Sequence, residues 1–91
     1  MGYVLITADF PDVNSTQRDQ IYKCLEEKNI IKIKEFGRDI STVWQAYYPN
    51  VDESTAIKNT ITHFEACSKL YCKPKLVMEW GPNKPVYHNL V

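Results

Sequence analysis

The stretch Tyr3-Val4-Leu5-Ile6-Thr7-Ala8-Asp9-Phe10-Pro11 decides the fold. Val and Ile suit a pleated, partly buried surface, so Tyr3 to Asp9 reads as a strand. That strand delivers one carboxylate, Asp9, to a Pro-terminated loop. The cluster Pro11-Asp12-Val13-Asn14-Ser15-Thr16 then breaks the strand and opens a helix. Thr16 with Asp19 has the spacing of a capping box, and Asn14 or Ser15 are the alternative caps. Within the helix Ile21, Cys24, Leu25 and Lys28 share one face, while Asp19, Glu26 and Glu27 face outward. Asn29 is its expected stop.

Ile30 to Phe36 alternates, with Ile31 and Ile33 on one side and Lys32 and Lys34 on the other. Gly37-Arg38-Asp39 reads as a turn and Thr42 to Tyr48 as a third strand, so the two strands form an antiparallel hairpin. Asp52 is the expected cap of a second helix that carries Ile57, Ile61 and Phe64 on one face. Pro74 separates it from a fourth strand, Leu76-Val77-Met78-Glu79-Trp80. Gly81-Pro82-Asn83-Lys84-Pro85 reads as a rigid turn, and Val86 to Val91 has the pattern of a short fifth strand.

The order is therefore β-α-β-β-α-β plus a tail: a single α+β domain over residues 1–91, a ferredoxin-like two-layer sandwich. Right-handed crossovers place both helices on one face of an antiparallel sheet. Val4, Ile6, Ala8, Ile31, Ile33, Trp44, Ala46, Tyr48, Leu76, Met78 and Trp80 are expected beneath them. Period-2 alternation sends Leu5, Thr7, Asp9, Lys32, Lys34, Val43, Gln45, Tyr47, Val77 and Glu79 to the bare face. So much apolar sheet is rarely left in water, and a protein partner is expected there.

Composition narrows the function. The chain of 91 residues is 44% hydrophobic and 24% charged, as in folded globular domains. Eleven basic residues balance eleven acidic ones, so no global positive field draws in nucleic acid. No leader and no apolar run of about 18 residues is found, so neither export nor membrane insertion is expected. Three cysteines then fit reduced thiols in a cytoplasm.

Asp9 ends the first strand and Asp12 follows in the loop. Two such carboxylates can bind a divalent cation, Mg²⁺ or Mn²⁺, if a dimer brings two copies together. The alternative is that Asp9 ends a strand and Asp12 shapes a turn. Arg18 and Arg38 are the basic residues that could hold a nucleic-acid phosphate, or they are solvated surface charges. Trp44, Tyr47 and Tyr48 lack the sequence pattern of an RNA-stacking strand: Trp44 and Tyr48 read as core, Tyr47 as interface. His63, Cys67 and Cys72 lack the paired spacing of a zinc site, and Cys67 reads as a small buried hydrophobe.

On Tyr3-Val4, Asp9-Phe10-Pro11 and the element order, the chain resembles the GhoS antitoxin endoribonucleases. It is also similar to the wider group of the small CRISPR-adaptation endonuclease subunit and the VapD ribonucleases. It departs from them in lacking a run of aromatics through the first strand, and its Ala8-Asp9 spacing is one residue longer. The resemblance implies a ferredoxin-like homodimer, often with a fifth strand exchanged across the interface, here within residues 82–91. It also implies RNA cleavage, with Asp9 as the one catalytic residue carried over; Asp12 joins it as a candidate catalytic acid from its place in the loop alone. Two readings follow: a small dimeric endoribonuclease of antitoxin or VapD type, favoured by the shared layout, and a non-catalytic module that binds a protein through its open sheet face or edge.

Overall fold

The computed structural model describes residues 1–35 and 38–84, with side chains at all of these except 34–35 and 38–42. Its elements run β1 Gly2–Asp9, α1 Ser15–Glu27, β2 Ile30–Glu35, β3 Arg38–Tyr48, α2 Glu53–Ser68 and β4 Lys75–Gly81. The four strands make one sheet in the order β2-β3-β1-β4, every neighbouring pair antiparallel. The chain is thus α+β, with two helices packed on one face of a four-stranded antiparallel sheet. The expected fifth strand lies outside the described residues.

The alternation of β1 governs the packing. Val4, Ile6 and Ala8 are buried under the helices, where Ile21, Leu25, Ala56 and Phe64 meet them. Phe10 continues inward into an aromatic group. Its ring stacks on Phe64 with centroids 6.1 Å apart and meets the Trp44 ring edge-on at 5.8 Å. Tyr22 closes the group on Trp44 at 5.4 Å. At the other end of β1 the Trp80 ring lies over Gly2, so a Cβ there would collide with the indole.

Both helix starts are capped by side chains. Asn14, not Thr16, caps α1: its Oδ1 accepts from Gln17 N at 2.8 Å while Gln17 Oε1 accepts from Asn14 N at 3.1 Å. The reciprocal bonds satisfy two otherwise orphaned donors. Asp12 takes φ 61, and the turn it makes sets Asn14 at the helix start two residues before Thr16. Asn29, also left-handed at φ 62, ends that helix as expected. Lys28 is its exposed C-cap, so it leaves the face that carries Ile21 and Leu25. Asp52 caps α2 as expected, accepting from Thr55 N at 2.8 Å.

Other expectations are corrected. The buried stripe of α2 is Ala56, Thr60, Phe64, Cys67 and Ser68, with Ile57 and Ile61 half-buried beside it. Small residues let the helix lie close to the sheet, and each buried hydroxyl is satisfied within the helix. Thr60 Oγ1 donates to Ala56 O and Ser68 Oγ to Phe64 O. Because the single Thr60 hydroxyl proton is already donated, Tyr48 Oη is the donor in its 2.8 Å bond to Thr60 Oγ1.

In β2 a register shift between Lys32 and Lys34 breaks the alternation. Ile30 and Ile33 are buried, whereas Ile31 turns to the bare face, 43% exposed. Lys32 pairs with Trp44 and turns to the helix side, its Nζ 3.9 Å from the Tyr22 ring centroid. A cation over an aromatic face contributes about 0.5–2 kcal/mol, which compensates a half-buried ammonium. Arg38 and Asp39 belong to β3, opposite Glu35 and Lys34, rather than to a turn.

The cysteines depart furthest from expectation. Cys24 of α1 and Cys67 of α2 form a disulfide, with Cα atoms 5.6 Å apart, and only Cys72 is a free thiol. The helices run side by side, so the inward faces that carry Ile21–Leu25 and Phe64 bring these two cysteines together. The bond closes a loop between residues 43 apart in sequence. Chain entropy assigns such a closure about 4 kcal/mol, a large share of a small domain's stability.

Candidate functional site

Two regions compete as the functional site: the end of β1, with the acids singled out by the sequence, and the sheet face that the helices leave bare. Asp9 ends β1 on that bare face and is exposed, opposite Lys75 of β4 in the ladder. Its outward aim follows from alternation with the buried Ala8 and Phe10. Asp12 is exposed in the loop, and its left-handed backbone is one that Asp tolerates better than most residues. Cys72, from the loop before β4, lies within the field of both acids. Burial first, then the Asp9 and Asp12 charges, pushes its thiol pKa up. Such a thiol is poorly nucleophilic.

The structure therefore brings Asp9, Asp12, Cys72 and Lys75 to one end of the sheet. Arg18 stands exposed on α1, its backbone N–H bonded to Asn14 O at 2.9 Å. The Arg38 side chain lies outside the described residues. Among the described residues, no group of three or more His, Cys, Asp or Glu side chains could hold a metal ion. One chain offers a cation two exposed carboxylates with Lys75 facing one of them, a donor set that does not fit Mg²⁺ or Mn²⁺ by itself. His63 is no ligand partner for Cys67, whose sulfur is in the disulfide. Burial, then the nearby Lys28 charge, lowers the His63 pKa.

The bare face is built by the residues that alternate with the core. Register sets them in rows. Tyr47, Tyr3 and Gly81 form one row, and Ile31, Gln45, Leu5 and Glu79 the next. Val43, Thr7 and Val77 follow, then Asp9 and Lys75. The Tyr3 and Tyr47 rings sit 4.8 Å apart at an interplanar angle of 36°, and Tyr47 Oη donates to Met1 Sδ at 3.5 Å. Val77 is 73% exposed and Tyr47 47%. The middle of the face mixes Leu5 and Val43 with Gln45 and Thr7, and Asp9, Lys75 and Glu79 stand on the β1–β4 side.

Sequence reasoning assigned most of this face by period 2. It missed Tyr3, Ile31 and Lys75 and placed Lys32 there wrongly. Tyr3 follows from the same alternation that set Leu5 and Asp9 outward, whereas Ile31 depends on the register shift, which no local pattern announces.

No helix among the described residues is long and apolar enough to cross a membrane. Comparison with models of protein families, with curated proteins and with solved structures found no significant match to this chain.

Proposed function

We propose that the chain is a non-catalytic interaction module that binds a protein partner through its open sheet face. One observation carries this reading: Tyr3, Leu5, Ile31, Val43, Tyr47 and Val77 share one face that no helix among the described residues covers. Contiguous apolar surface of this kind marks interaction sites. The sheet order β2-β3-β1-β4 supports a ferredoxin-like arrangement, which leaves one face free by construction. The endoribonuclease of GhoS or VapD type rests on Asp9 and Asp12, two exposed carboxylates of which Asp9 stands opposite Lys75. The Cys24–Cys67 bond supports an oxidising setting better than the cytoplasm, where glutathione keeps most thiols reduced.

The test has two arms. Purified chain is incubated with mixed single- and double-stranded RNA, with and without Mg²⁺ or Mn²⁺, and no cleavage is expected. A photo-crosslinking residue is placed at Val77, on the open face, and at Lys58, on the outer side of α2. Discrete adducts are expected from position 77 and none from position 58. Cleavage that Asp9→Asn abolishes would return the chain to the endoribonucleases. Equal crosslinking from both positions would remove the open face as the binding surface.

A further inference from the structure

We infer that the seam between α1 and α2 is a redox-gated metal site: once the Cys24–Cys67 bond is reduced, both sulfurs and the His63 imidazole hold one Zn²⁺. The site lies on the helix side and is independent of the open sheet face. Spacing along the two helices places these donors together. Three pairs of residues cross the seam, four residues apart on each side. Tyr71 Oη, just past α2, donates to Gln20 Oε1. Cys67 is bonded to Cys24. His63 feels the charge of Lys28. Residues four apart share one helix face, so His63 stands one turn from Cys67 on the side that meets α1.

The donor set suits that ion. Two thiolates and a neutral imidazole bind Zn²⁺ and leave a fourth position to water. The sequence hid the set because Cys24 comes from the other helix, 43 residues before Cys67. The three residues between His63 and Cys67 match the interval of histidine pairs that close on zinc. The Cys24 and Cys67 Cα atoms are 5.6 Å apart. Zn–S bonds of about 2.3 Å in a tetrahedron set two sulfurs about 3.8 Å apart, which side-chain rotation reaches with the helices in place. The two thiolates cancel the charge of the ion, so the Lys28 ammonium faces a neutral centre. While the disulfide stands, both sulfurs are spent on each other, and no metal group exists among the described residues. Small domains are commonly held by a disulfide or a structural metal, and here one seam offers either.

The gate is exchange with a dithiol reductant. One thiolate of the reductant attacks Cys24 Sγ, because Cys24 is half-buried whereas Cys67 is only 7% exposed. The Cys24–Cys67 bond breaks and Cys67 leaves as a thiolate. The second thiol of the reductant then displaces Cys24, so the reductant ends as a disulfide. The chain gains two electrons and two protons, and both protons are released when the sulfurs bind Zn²⁺ as thiolates.

Co²⁺ reports the site in the full chain, reduced with a phosphine and freed of reductant without air. One Co²⁺ per chain is expected, with thiolate-to-metal charge-transfer absorption that added Zn²⁺ abolishes. The oxidised chain is expected to show no such absorption. Cys72→Ser should bind as wild type does, and Cys24→Ser should lose the site. Loss of a group that merely supports a ligand costs about 10–100-fold in metal affinity, so His63→Gln should cost at least as much. Zn²⁺ should also raise the denaturant midpoint of the reduced wild type and leave that of Cys24→Ser unmoved, which shows that the folded chain holds the metal. A reduced wild type that takes up no Co²⁺, or whose midpoint Zn²⁺ does not raise, overturns the proposal. So does a loss in Cys72→Ser equal to that in Cys24→Ser, or undiminished binding by His63→Gln.

Discussion

The two faces of the sheet are built from the same strands, yet they answer to different demands. On β1, Val4, Ile6 and Ala8 enter a closed core with four aromatic rings in mutual contact. Their neighbours Tyr3, Leu5, Thr7 and Asp9 stand on an open surface that mixes apolar side chains with Gln45, Lys75 and Glu79. On the helix side every buried hydroxyl has a partner and a disulfide ties the covering layer together. On the open side the charges stand at the margin. Adjacent positions in sequence should therefore fail in different ways: inward changes cost folding, outward changes cost association.

The largest effect should come from Trp44→Ala. The indole is 1% exposed and touches Phe10, Tyr22 and Phe64, so its loss should cost about 3–5 kcal/mol in denaturant unfolding. Replacing Cys24 by Ser and Cys67 by Ala should come next, at about 2–4 kcal/mol, with the sheet face unchanged. A midpoint that does not move would show that the helical layer needs no covalent tie. Asn14→Ala removes the bond that Gln17 N–H donates to Asn14 Oδ1 at the α1 cap and should cost about 1 kcal/mol by the same measurement.

A pH effect sharpens the comparison from the helix side. Burial and Lys28 hold the His63 pKa below its ordinary value near 6.5 in the folded chain. Below that value the unfolded chain binds the proton more readily, so this contribution to stability is present above about pH 6.5 and is lost as pH falls. His63→Gln should flatten that part of the profile, read as the difference in unfolding midpoint between about pH 7.5 and about pH 5. An unchanged slope would assign the acid sensitivity to other groups.

Local rules made much of the molecule legible. Asn29 and Asp52 were readable as helix punctuation because each acts within four residues of its own position. The outward aim of Asp9 and the inward aim of Val4 and Ile6 follow from alternation alone. What escaped was non-local or chemically disguised. The Cys24–Cys67 pairing depends on two helices lying side by side. The stripe of α2 hid because Thr60 and Ser68 look polar until their hydroxyls are returned to the helix's own carbonyls. Ile31 and Lys32 exchanged faces through a register shift that only the pairing with β3 defines. Asp9 and Asp12 were findable as acids near one strand end, but the free thiol of Cys72 beside them comes from a loop 60 residues on.

The contrast between the faces is tested most directly at Val77, on the open side, by pairing two measurements on Val77→Asp. A photo-crosslinking residue at Tyr47, on the same face, reports partner binding and denaturant unfolding reports stability. The account predicts loss of the discrete adducts, with stability within about 0.5 kcal/mol of wild type. A variant that unfolds as Trp44→Ala does, or that gives the same adducts as the chain with Val77 intact, would contradict the assignment of this face to binding.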